Sequence, residues 1–306
     1  MEDSHPMSTD DIRRPDGFAT VPVDIATDEL SDATLAVRLA TDAGKLLLRI
    51  RAELGFAEPA TLRETGDARS HRLLARALGR HRPGDAVLSE EAADDPVRLG
   101  ADRVWIVDPL DGTREFAEPG RTDWAVHVAL WERGELTVGV VALPALGVTL
   151  SSEGPLPARA LPAARGAGAV AAGPAGPAGN RGIPAGPVAP AGADAAVPRI
   201  VASRTRAPRV VTDVAEKLGA TVLPMGSAGA KVAAVIRGDA DIYVHDGGQY
   251  EWDSAAPVAV ARAAGLHTSR LDGSELRYNQ PDPLLPDLVV CDPAHAEQVL
   301  AVTRAR

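Results

Sequence analysis

Arg103-Val104-Trp105-Ile106-Val107-Asp108-Pro109-Leu110-Asp111-Gly112-Thr113-Arg114-Glu115-Phe116 decides how the chain folds and where its chemistry sits. It begins as a short apolar run that reads as a buried strand. The run stops at Asp108, and Pro109 and Gly112 force a turn. Two carboxylates, Asp108 and Asp111, therefore stand together at a strand end, with the Thr113 hydroxyl and free backbone N–H groups just beyond. Carboxylate and carbonyl oxygens are the ligands that hard cations such as Mg²⁺ prefer. N–H groups after a glycine turn hold anions. A cation site beside an anion nest points to metal-assisted phosphoryl chemistry. A plain Asp-Pro/Asp-Gly turn is the alternative that this spacing alone leaves open.

The totals exclude several classes. With 306 residues the chain can bury a sizeable core in one large or two modest domains. Its net charge of −10 gives no broad basic face for nucleic acid or an anionic membrane. A small anionic substrate stays open, because bound cations reverse the local field. Cys291 is the single cysteine, which excludes an internal disulfide framework and a cysteine-based zinc site. No stretch approaches the ~20 apolar residues of a membrane span, and the first 30 residues lack a signal-peptide core. The sequence reads as a soluble cytoplasmic protein.

Outward from the motif, residues 1–28 are polar, acidic and broken by prolines, and read as a flexible leader. A helix is expected from Ser31 or Asp32, with Leu35, Leu39, Ala43, Leu46 and Leu47 on one face and Gly55 as its stop. A second helical pattern runs through Leu73, Leu74 and Leu78 and places Asp67 in its first turn, where a carboxylate offsets the helix dipole. Ala86 to Glu91 reads as a strand ending in adjacent carboxylates; solvent or a cation shared with Asp108 would relieve the Glu90–Glu91 repulsion. Asp123–Trp131 and Leu136–Leu143 form a hairpin about Arg133-Gly134, with His127 a packed or surface histidine. Residues 151–198 are dominated by Ala, Gly and Pro and read as a flexible insertion, unable to offset the entropy of ordering. Beyond it, strands are expected at Arg199–Ser203, Thr221–Leu223 and Ala240–Val244. The small-residue turn from Gly226 into a helix suits an anion or sugar contact, or close packing. Asp253 is expected to cap a helix whose first turn holds Pro257.

Two strings carry a family resemblance. Asp108-Pro109-Leu110-Asp111-Gly112-Thr113 resembles the first signature of the inositol monophosphatase superfamily. Trp252-Asp253-Ser254-Ala255-Ala256-Pro257 resembles the second, in the right order. Arg114-Glu115-Phe116 looks more like the bisphosphate nucleotidase branch than the inositol branch, which has Thr-Asn-Phe there. The resemblance covers roughly Asp32 to Asp292, outside the insertion. It implies an α/β fold, the layered αβαβα sandwich, with an α+β domain at 29–150 and an α/β domain at 199–306. It also implies that Glu90, Asp108, Asp111, Asp253 and the Leu110 carbonyl hold two or three Mg²⁺ ions. Asp67 matches the family's water-polarising aspartate, paired with Thr113, although Glu64 replaces the usual Thr and the preceding Lys is absent. By the same resemblance the Gly112 and Thr113 N–H groups take the phosphate, and Arg114, Ser227 and Lys231 contact the substrate.

The reaction so implied is lithium-sensitive removal of the 3'-phosphate of 3'-phosphoadenosine 5'-phosphate (PAP), giving AMP, in sulfate assimilation. The sulfated relative PAPS would be a second substrate. Hydrolysis of inositol 1-phosphate or fructose 1,6-bisphosphate is the alternative chemistry. A catalytically silent binding protein is a third reading. Its mark would be a lost ligand carboxylate, and all four are present. The implied partners are a small nucleotide bisphosphate and, by family habit, a second copy of the chain.

Overall fold

Helix α1 (Asp32–Leu54) starts where expected, with Ser31 Oγ accepting the Thr34 N–H at 3.2 Å and Gly55 ending it at φ 63°. Its buried residues, among them Leu35, Leu39, Ala43 and Leu47, recur at helical spacing. The computed structural model describes residues 30–157, 197–205 and 207–305. The leader expected at 1–28, and residues 158–196 of the expected insertion, lie outside the described residues. Helix α2 (Pro59–His81) begins well before the position expected from the sequence. Pro59 occupies its first turn, where no N–H is needed, and the helix continues straight through Thr61–Asp67. Asp67 is therefore a mid-helix residue, not a first-turn one. Gly66 lies inside the helix, where its role is packing. A Cβ there would lie 2.8 Å from Phe116 Cε1 and 3.0 Å from Leu110 Cδ2.

Strands β1 (Ala86–Ser89), β2 (Arg103–Asp111), β3 (Ala125–Glu132), β4 (Glu135–Leu143) and β5 (Val148–Ser151) form a five-stranded sheet in that order. Only β1 and β2 pair in parallel. The expected hairpin is β3–β4, turning at Arg133 (φ 46°) and Gly134 (φ 107°). Helix α3 (Thr113–Phe116) is a single turn directly after β2.

The second sheet holds β6 (Arg199–Ser203), β7 (Thr221–Met225), β8 (Ile242–Tyr250), β9 (His267–Ser269) and β10 (Leu284–Cys291), ordered β7-β6-β8-β10-β9. Here β6 runs parallel to β7 and β8, while β10 is antiparallel to β8 and β9. The remaining helices are α4 (Arg209–Leu218), α5 (Ala228–Arg237), α6 (Glu251–Ala263) and α7 (Pro293–Thr303). Helices α1 and α2 pack on the first sheet, α5 and α6 lie between the sheets, and α4 and α7 pack on the second. This is the αβαβα layering the resemblance implied.

Lying between two sheets, α6 is buried along most of its length, from Ser254 to Ala261. Its small residues allow close approach to β4. A Cβ on Gly139 would lie 2.4 Å from Ala259 Cβ and 2.7 Å from the Ala256 carbonyl. One apolar core runs from Leu88 and Ile106 through Ala233 and Val260 to Tyr243 and Val290, so both sheets share it. The start of α6 also differs from expectation. Tyr250 is the N-cap, and Asp253 accepts the Tyr250 N–H at 2.7 Å from the third helical position. Pro257 consequently lies beyond the first turn, where it cannot donate to the Asp253 carbonyl. No described helix is long and apolar enough to cross a membrane.

Candidate active site

Strand β2 delivers Asp108 and Asp111 to the same edge of the first sheet because its register against β3 slips between them. Asp108 faces His127 across the strands, and Asp111 faces Ala125. The turn that follows is held by its own backbone: Leu110 N–H donates to Asp108 Oδ1 at 2.9 Å, and Thr113 Oγ1 to the Leu110 carbonyl at 3.1 Å. Gly112 takes φ 81°, a left-handed value that glycine adopts without a Cβ penalty. Asp253 arrives from the opposite sheet, on the first turn of α6. One oxygen each of Asp108, Asp111 and Asp253 then lies within 4.8 Å of the others.

These carboxylates are not equally provided for. Asp108 is 1% exposed, and its Oδ2 has no hydrogen-bond partner. A buried, unpaired carboxylate oxygen is costly unless a proton or a cation meets it. Burial, reinforced by the charges of Glu90, Asp111 and Asp253, accordingly pushes the Asp108 carboxyl well above its ordinary range. Burial and the Asp111 charge raise Asp253 to about 6. Glu90 stands on the exposed rim outside the close trio. Even so, loss of solvation, with the Asp253 and Asp111 charges, raises it to about 7. An all-oxygen set with excess negative charge fits a hard divalent cation.

Asp111 is the contrast. Burial opposes its charge, but His127, the Ser227 hydroxyl and the Gly229 N–H together hold it below the usual carboxylate range. It accepts from Ser227 Oγ, from Ala228 N–H at 3.1 Å and from Gly229 N–H at 2.7 Å, so it binds the N-terminus of α5. His127 completes this side: Nε2 lies 3.2 Å from Asp111 Oδ2, and Nδ1 lies 3.0 Å from the Trp252 carbonyl. Burial would lower the imidazole pKa, but Asp111 and the Trp252 carbonyl outweigh it and raise it.

Beside the trio opens a cleft of about 240 Å³, lined by Gly112, Thr113, Arg114, Glu115, Ser203, Arg204, Thr205, Gly226, Ser227 and Lys231. Every residue expected to contact substrate is on that wall. Lys231 is only 6% exposed, so burial pushes its ammonium pKa down, and it sits over the Tyr243 ring at 5.3 Å. Arg204 pairs with Glu115 at 2.9 Å and Glu118 at 2.6 Å. Asp67 is half-buried on α2, and its burial, with the Glu91 charge, raises its carboxyl to about 7. Thr113 gives its hydroxyl to the Leu110 carbonyl here, not to Asp67.

A family profile described as the inositol monophosphatase family matches residues 30–305. The chain belongs to that family. It is 51% identical over 285 residues to a protein of Mycobacterium leprae (strain TN) named 3'-phosphoadenosine 5'-phosphate phosphatase, covering 90% of this chain and 94% of the relative. Among solved structures it resembles CysQ from Bacteroides thetaiotaomicron, described as a bacterial member of the inositol monophosphatase family, with TM-score 0.60 and 28% identity over 85% of this chain and 96% of that one. Inositol monophosphatase-II from Staphylococcus aureus MSSA476 superposes with TM-score 0.65 at 16% identity, over 87% and 92% of the two chains, and so shares the fold.

Two features of this inositol monophosphatase fold carry little local signal. His127 is packed, in line with expectation, and the sequence does not identify its neighbours, Asp111 and the Trp252 carbonyl. A polar residue within an otherwise buried apolar strand was its only local signal. Ser203, at the end of β6, and Arg204 and Thr205, in the loop after it, line the cleft with no local signal at all.

Proposed function

We propose that this inositol monophosphatase family member is a cytoplasmic, Mg²⁺-dependent phosphatase that removes the 3'-phosphate of PAP to give AMP and phosphate, with PAPS a second substrate, in sulfate assimilation. The observation that carries it is the buried Asp108 Oδ2, which accepts no hydrogen bond, within a trio of carboxylates next to a cleft walled by Arg114, Arg204 and Lys231. The name of the M. leprae relative supports the choice of substrate.

In this reading Glu90, Asp108, Asp111, Asp253 and the Leu110 carbonyl hold two or three Mg²⁺ ions. Bound there, Mg²⁺ supplies positive charge that neutralises the phosphate and acidifies water. The Gly112 and Thr113 N–H groups receive the scissile phosphate at the start of the turn. Asp67 and Thr113 orient the attacking water, Asp67 accepting its proton, once the Thr113 hydroxyl turns from the Leu110 carbonyl. Arg114, Ser227 and Lys231 hold the rest of the nucleotide, whose second phosphate suits a cationic wall.

Phosphorus NMR of PAP incubated with enzyme and Mg²⁺ tests the regiochemistry. The expected products are free phosphate and AMP that keeps its 5'-phosphate, with EDTA stopping the reaction. Accumulation of 3'-AMP would overturn the proposed orientation in the cleft.

A further inference from the structure

Strand β3 is apolar and buried along Ala125, Val126, Val128, Ala129 and Leu130, yet admits one histidine, fully buried, at the register position opposite Asp108. An imidazole removed from water is costly unless its nitrogens find partners. The partners here all belong to the carboxylate cluster or its supports. Nδ1 is 3.0 Å from the carbonyl of Trp252, the residue before Asp253, and 3.9 Å from Asp108 Oδ2. Nε2 makes no hydrogen bond of good geometry but lies 3.2 Å from Asp111 Oδ2, an ion-pair contact. The neighbouring helix makes room for the ring: a Cβ on Gly229 would lie 2.0 Å from Nε2, so only glycine lets α5 start this close.

We propose that His127 is a positioning residue for the metal centre, bridging Asp111 of the first sheet to the Trp252–Asp253 turn that follows the second. One ring thereby fixes the separation of two carboxylates whose supporting elements are far apart in sequence. Residues that orient ligands in this way typically change metal affinity about 10- to 100-fold when removed. The inference rests on the metal-centre reading above.

The test is Mn²⁺ binding to the full chain, followed by electron paramagnetic resonance of the free ion, for wild type and for His127→Leu, His127→Gln and His127→Asn. Gln keeps a polar atom near the Nε2 position and Asn keeps one near Nδ1. The Leu variant is expected to weaken Mn²⁺ binding about 10- to 100-fold, and Gln, which still reaches Asp111, to recover more of it than Asn. A purely structural role would lower the melting temperature of the metal-free protein and leave Mn²⁺ affinity in the folded fraction unchanged. Should His127→Leu fail to fold, the Gln–Asn comparison decides, and wild-type affinity in both overturns the proposal. Wild-type affinity in a folded Leu variant also removes the role of His127 while leaving the metal centre standing. Absence of binding by the wild type removes both.

Discussion

Asp108 divides its two oxygens between very different tasks: Oδ1 is held by the Leu110 N–H, and Oδ2 is buried and accepts no hydrogen bond. An oxygen in that state raises the energy of the metal-free protein and is the natural seat of a cation. Replacing Asp108 by Asn removes the charge and nearly preserves the shape. Turnover should fall by more than about 100-fold, the upper end of what supporting residues cost. The metal-free variant should melt no lower than wild type, because the repulsion from Glu90, Asp111 and Asp253 is lifted. Steady-state kinetics and circular dichroism melts read both effects. Undiminished turnover would contradict the assignment of Asp108 as a ligand. Asp111 sits beside it with a full set of donors, so charge count alone does not describe a site; the distribution of partners does.

Among the elements, α6 has the most to position, since it fills the space between the sheets and carries Asp253 on its first turn. Its approach to β4 depends on Gly139, where a Cβ would run into Ala259 and the Ala256 carbonyl. Gly139→Ala should therefore destabilise the fold by about 1–3 kcal/mol, the usual cost of overpacking. Urea unfolding monitored by tryptophan fluorescence measures it, and a neutral result would mean that α6 shifts freely. Elements whose signals are local could be read in advance. Ser31 and Gly55 bracket α1, and Arg133-Gly134 marks the β3–β4 turn. The start of α2 could not be read, because Gly66 serves a contact with Leu110 and Phe116 that exists only after folding. Asp253 looked like a cap because Tyr250, the actual cap, is not a usual capping residue. The layer order came from family resemblance, not from periodicity. His127 and Arg204 lay beyond reach because their partners, Trp252 and Glu115, are remote in sequence.

At the scale of the molecule, the carboxylate trio spans the seam between the sheets, so its repulsion opposes folding of the metal-free protein. Glu90 and Asp67 at about 7, Asp253 at about 6 and the raised Asp108 all exceed the ordinary carboxylate pKa of about 4. Between about pH 4 and 7 the folded protein therefore holds more protons than the unfolded chain, and metal-free stability falls as pH rises through that window. In the proposed reading, Mg²⁺ would need the deprotonated ligands and would bind only the folded form. The melting-temperature gap between Mg²⁺ and EDTA samples should thus widen from about pH 5 to about pH 8. A gap that is constant across that range would disconnect the acidic cluster from the metal. The most direct test of the account as a whole is kcat/KM with Mg²⁺ for PAP, inositol 1-phosphate and fructose 1,6-bisphosphate side by side, with lithium and EDTA controls. The account predicts a strong preference for PAP, inhibited by lithium and abolished by EDTA. Faster turnover of either sugar phosphate, or turnover that survives EDTA, would contradict it.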